Sequence, residues 1–177
     1  MKKLVLTFGL IAGFISIIGF TLMMLNPDTI DFENGMIYGY ASMLLAFSLI
    51  FVAVKSYRDK HNGGAVSFGK AFKIGLYISL IASTVYVVVW LVDYYFFLDD
   101  FWGRYTEICT DGLIAKGASE NVIAEKVAEI EGWKELYKNP LLAGLITYTE
   151  ILPVGLLISL IAAAILKRKP QTPQAAQ

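Results

Sequence analysis

Apolar residues in this chain gather into four long runs, at about Leu4–Leu25, Met36–Val54, Ile74–Leu98 and Leu141–Leu166. Polar residues collect between them. A helix needs ~20 residues to cross the ~30 Å hydrocarbon core of a bilayer, and every run meets or approaches that length. Together the runs take up about half of the chain, which leaves little for a separate soluble core. The pattern predicts an all-α integral membrane protein, a four-helix bundle forming a single membrane domain.

Between the third and fourth runs the pattern changes to an amphipathic one. Over Asp99–Lys116 the apolar positions Trp102, Tyr105, Ile108, Cys109 and Leu113 recur close to every third or fourth residue, and Gly117 suits a helix stop. Ser119 is placed to cap a second helix. Ile123, Val127, Ile130, Trp133 or Lys134, and Tyr137 follow at helical spacing, while Glu120, Glu125, Glu129, Glu131 and Glu135 fall mainly on other faces. Residues 99–139 therefore read as an external helical insertion between helices three and four. Two helices this short do not make a stable free domain. Their apolar faces are expected on the membrane–water boundary or on the ends of the bundle.

Charge orients the threading. The composition is 56% hydrophobic and 17% charged, with no net charge. Soluble domains carry about 25% charged residues. Lys2 and Lys3 precede the first run, Lys55, Arg58, Lys60, Lys70 and Lys73 sit between the second and third, and Lys167, Arg168 and Lys169 follow the fourth. Their only acidic company is Asp59. The first connection has Asp28, Asp31 and Glu33 with no base, and the third has nine acids against five bases. The positive-inside rule then places both termini and the second loop in the cytoplasm, with residues 167–177 as a disordered cytoplasmic tail. The first run is also longer than the ~7–15 apolar residues of a signal peptide, and Met23-Met24-Leu25-Asn26-Pro27 offers no small-residue cleavage site. It reads as a retained helix.

Small residues mark where helices meet. Gly9 and Gly13 stand four apart in helix one, Ala71, Gly75, Ser79 and Ser83 in helix three, and Gly155, Ser159 and Ala163 in helix four. In lipid no hydrophobic force drives helices together, so close backbone approach has to do so. These stripes are expected to be the internal seams of the bundle; a homodimer face is the alternative.

Ahead of helix three, His61-Asn62-Gly63-Gly64 signals a turn. Ser67 is placed to cap a helix start, Phe68 and Phe72 share a face, and Lys70 and Lys73 lie off it. This predicts a short interfacial turn with aromatics in the headgroup layer and lysines toward phosphate. The run Gly64-Ala65-Val66-Ser67-Phe68-Gly69-Lys70-Ala71-Phe72-Lys73-Ile74-Gly75 resembles the central motif of a bacterial membrane family called domain of unknown function 4199, found mainly in Bacteroidetes. The plan of four helices, an acidic insertion and a terminal Leu-Lys-Arg-Lys is similar too. The resemblance implies a multi-pass protein of the bacterial cytoplasmic membrane and supplies no chemistry.

Two acids interrupt the runs. Glu150 lies ~15 Å along its helix from Pro140 and ~25 Å from Lys167, which puts it in the outer half of the membrane near the midplane. Asp93 is ~9 Å from Asp99 and nearer the outer surface. An ionised carboxylate at the bilayer centre costs ~3 kcal/mol, and such groups usually face a bundle interior or an aqueous cavity. Glu150 reads either as a protonated or hydrogen-bonded tie between helices, with Thr147 on the same face as a partner, or as a protonatable or cation-binding group. Asp93 among Tyr94, Tyr95, Phe96 and Phe97 reads as a hydrated acid in an aromatic belt. Pro153 removes a backbone donor three residues after Glu150 and is expected to kink helix four.

Other chemistry is sparse. Cys109 is the only cysteine and His61 the only histidine. No Walker loop, Gly-x-Ser-x-Gly, His-Glu-x-x-His or Cys-x-x-Cys occurs. The expectation is a non-enzymatic multi-pass membrane protein without metal or cofactor, an accessory or scaffold that contacts partners or lipid through the insertion. Its partners would be the lipid bilayer and another membrane protein or itself, with no role for nucleic acid. The alternative is a small proton- or cation-linked transporter or channel subunit using Glu150 and Asp93.

Overall fold

A computed structural model describes residues 1–24 and 32–170. Among them the fold is all-helical, with no strand: α1 (Lys2–Met24), α2 (Phe32–Ser56), α3 (Phe68–Phe96), α4 (Phe101–Ala115), α5 (Glu120–Tyr137) and α6 (Pro140–Leu166). Among the described residues three stretches are long and apolar enough to cross a membrane: Ile37–His61, Phe68–Phe96 and Pro140–Leu166. The expected first span, Leu4–Leu25, falls on α1, with Leu25 outside the described residues. Asp28 and Asp31 of the acidic first connection, and residues 171–177 of the expected tail, lie outside them as well.

The helices outrun the apolar stretches. Backbone hydrogen bonds continue until a turn interrupts them, whereas hydrophobicity ends where the hydrocarbon would. The interfacial turn expected at Ser67–Lys73 is instead the first turns of α3. Ser67 stands before that helix and its hydroxyl accepts from the Lys70 amide at 3.3 Å. Phe68 and Phe72 stack at 6.3 Å. Beyond α2 the chain tightens into a π-helical turn at Tyr57–His61. His61 stacks on Tyr57 at 6.3 Å and stays exposed. Gly63 and Gly64 then reverse the chain at φ +60° and +79°, a region closed to most side chains.

Two compact units divide the chain, with boundaries inside α3 and α6. One runs up to Tyr86 and resumes at Tyr148. Its core is built from Phe47, Ile50 and Val54 of α2, Ile74 and Ile78 of α3, and Ile151, Ala162 and Ala163 of α6, with Val5 and Ala12 of α1. A two-residue antiparallel bridge closes one end: the Val66 amide donates to Arg168 at 2.9 Å and the Arg168 amide returns to Val66 at 2.8 Å.

The second unit is Val87–Thr147 and contains α4 and α5. Gly117 (φ +72°) ends α4 in a Schellman arrangement, with Ala118 donating to Leu113 and Gly117 to Ile114 at 3.0 and 2.9 Å. Ser119 occupies the cap position of α5, but its side chain makes no capping bond, contrary to expectation. Its carbonyl alone starts the helix, accepting from Ile123.

Candidate functional site

The best-defined polar feature of the first unit is the seam between α3 and α6. A Cβ on Gly75 would meet Ser159 Oγ at 2.7 Å, and one on Gly155 would meet Ser79 Oγ at 2.7 Å. Each glycine thus receives the serine of the other helix. Ser79 and Ser159 are fully buried and hydrogen-bonded at 3.1 Å. Ser159 donates to the Gly155 carbonyl at 2.7 Å, which leaves the Ser79 hydroxyl as donor to Ser159. Four residues forward on α3 answer four residues back on α6, and the same register extends to the Val66–Arg168 bridge. Ala71 and Ala163 follow it and are also buried. Phe47 and Ile50 of α2 close over the glycines, 2.9 and 3.0 Å from the Cβ positions. Ser83 is buried too, yet its Oγ has no hydrogen-bond partner among the described residues. On α1, a Cβ on Gly9 would strike Ile81 at 2.7 Å and one on Gly13 would strike Val85 at 2.6 Å. Gly9, Gly13, Gly75, Ser79, Gly155 and Ser159 therefore all stand at helix contacts within the chain.

Glu150 stands elsewhere. It is exposed on α6, while its neighbour Ile151 is fully buried. Thr147 is buried and donates to the Ala143 carbonyl at 2.9 Å, so the expected Thr147–Glu150 partnership is not formed. A hydroxyl in a helix reaches its own preceding turn more readily than a carboxylate three residues on. Glu150 has no hydrogen bond or ion pair among the described residues. Pro153 is also exposed, and α6 runs through it as one helix. Tyr148 turns the other way and donates to Thr84, whose own hydroxyl is committed to the Leu80 carbonyl at 2.8 Å.

In the second unit Tyr94 is the hub of an aromatic cluster. Its ring lies edge-on to Tyr95, Phe101 and Tyr137 at 4.8, 5.9 and 5.3 Å, and 6.0 Å from Trp90. Trp102 donates its indole N–H to the Tyr94 hydroxyl at 2.6 Å and packs on Tyr137 at 5.3 Å. Tyr95 donates to the Tyr137 carbonyl at 2.5 Å. Tyr94 and Tyr95, in the stretch read as an aromatic belt, are thus also structural anchors for α4 and α5. Only Phe96 and Phe97 stand free, at 78% and 73% exposure. Asp93 is half-buried, and its carbonyl accepts from Phe97 and Leu98 to end α3. The sequence shows aromatics at both ends of the insertion, Trp102 and Tyr137, with Tyr94 and Tyr95 ahead of it, but carries no sign of which of them pair.

Around that anchor the surface is charged. Lys126 reaches Glu129 at 2.9 Å, and the bond holds the carboxyl below the ordinary glutamate range and the ammonium above that of lysine. Burial pushes the Tyr105 phenol up, and the adjacent Cys109 thiol adds to that. Lys134–Glu131 and Lys138–Glu135 are further exposed pairs one helical turn apart. Trp133, Leu136, Ile114 and Val122 are exposed among them. In the first unit, Lys70 lies over Tyr57 at 5.8 Å and Lys73 over Tyr77 at 5.7 Å, while Arg58 pairs with Asp59 at 2.6 Å and reaches the Leu166 carbonyl at 3.4 Å. Among the described residues, no three His, Cys, Asp or Glu side chains converge.

A family model described as a protein of unknown function (DUF4199) matches residues 7–168. No curated protein and no solved structure matches the chain.

Proposed function

Starting from the chain's membership of the DUF4199 family, whose function is unknown, we propose a non-enzymatic accessory or scaffold role in the bacterial cytoplasmic membrane. In this reading α1, α2, α3 and α6 form a four-helix membrane bundle with both termini in the cytoplasm, and α4 and α5 stand on the outer side. The basic residues Lys55, Lys60, Lys70, Lys73, Lys167 and Lys169 support that orientation.

One observation carries the role. The α4–α5 pair is held by a dense aromatic cluster, yet presents Trp133, Leu136, Ile114 and Val122 uncovered among acids. A rigid support under exposed large apolar groups is the arrangement of a contact surface, because ordered anchors lower the entropy cost of docking. Its partner is a second membrane polypeptide or a stoichiometric lipid. Glu150, on which the transport alternative rests, is exposed on α6.

Native mass spectrometry of protein gently extracted from its own membrane tests the role. A bound polypeptide or lipid that disappears in a Trp133→Ser, Leu136→Ser variant, with insertion unchanged, is the expected result. A partner-free protein, or a partner indifferent to both substitutions, overturns it.

A further inference from the structure

The outward face of α6 carries one residue that a lipid-facing helix does not tolerate cheaply. Glu150, Pro153, Leu157, Leu160 and Ala164 are all exposed and follow alternating spacings of three and four. That is the spacing of a helix–helix seam. Four of the five suit lipid, and two of them, Pro153 and Ala164, are small enough to let another backbone approach. A carboxylate facing hydrocarbon is costly, and Glu150 has no partner within the described chain.

We infer that this stripe is the contact between two copies of the chain, with Glu150 hydrogen-bonded to Glu150 of the second copy. The inference rests on α6 crossing the bilayer, and goes beyond the accessory role, which uses α5. All copies share one orientation in a membrane, so a two-fold axis lies along the membrane normal and α6 packs parallel on its mate. Residue 150 then meets residue 150. A neutral carboxyl group offers one donor and one acceptor, so two of them satisfy each other without any further group. A different protein would have to supply a matching donor at the same depth. Glutamine is likewise self-complementary; leucine keeps the apolar seam and removes the bonds.

Disulfide cross-linking in native membranes tests this, in a Cys109→Ser background. Leu157→Cys is expected to give a covalent dimer under mild oxidation, and Val52→Cys, exposed on α2, none. Adding Glu150→Gln to Leu157→Cys is expected to preserve the dimer. Adding Glu150→Leu is expected to weaken association about tenfold, the loss of two membrane hydrogen bonds. Monomer at every position, cross-linking unchanged by Glu150→Leu, or a Leu157→Cys adduct with another polypeptide overturns the inference. Alkali extraction of the same membranes reports insertion separately, and retention of the α5 partner in a monomeric Glu150→Leu variant separates this contact from the accessory role.

Discussion

Gly75 and Gly155 each stand where another helix's serine fills the space of a side chain. The obstructing atoms include Ser159 Cβ and Ser79 Cβ, both at 2.8 Å, which cannot swing aside as a long side chain would. Gly75→Ala or Gly155→Ala is therefore expected to cost about 1–3 kcal/mol through overpacking. Thermal unfolding in detergent checks this, with Gly39→Ala as the control because nothing lies within 4 Å of its Cβ position. These glycines were legible from the sequence because four-residue spacing of small residues has one physical use in lipid. Glu150 was legible as an anomaly but not in its direction. Which way a helix faces depends on how its neighbours are arranged, and α6 is apolar nearly all round, so its own residues mark no buried side.

At the level of elements, α4 and α5 depend on aromatic contacts more than on their own helical propensity. Short helices are marginal alone, and α4 has no fully buried residue. Trp102 ties α4 to the rest of its unit through the Tyr94 hydroxyl and the Tyr137 ring. Trp102→Ala is expected to cost about 3 kcal/mol and to release α4. Limited proteolysis from the outer face would then cut between Phe101 and Lys116, while the wild-type chain resists. Helix starts and stops were readable where they rest on backbone geometry, as at Gly117, and less so where they rest on a side chain. Ser119 has the right residue type and position but no capping bond, and its carbonyl alone starts the helix by accepting from Ile123. The long-range pairs of the cluster were not readable, since each joins residues whose separation carries no period.

For the whole molecule, charge segregation makes a prediction independent of any partner. In a Cys109→Ser background, Glu125→Cys on α5 should react with an impermeant maleimide in intact cells, and Lys60→Cys only after permeabilisation. The reverse pattern, or equal labelling of both, would invert or abolish the proposed threading. The Val66–Arg168 bridge bears on the same molecule in time. Arg168 leaves the ribosome about a hundred residues after Val66, a delay of about 5–20 s at ordinary rates of synthesis. Between the synthesis of Ser79 and that of Gly155, Gly75 and Ser79 have no α6 partner. The notch that later accepts α6 is thus an open polar step in an otherwise greasy helix, and it fills only when Gly155 and Ser159 arrive. An unfinished chain therefore differs from a finished one at this spot.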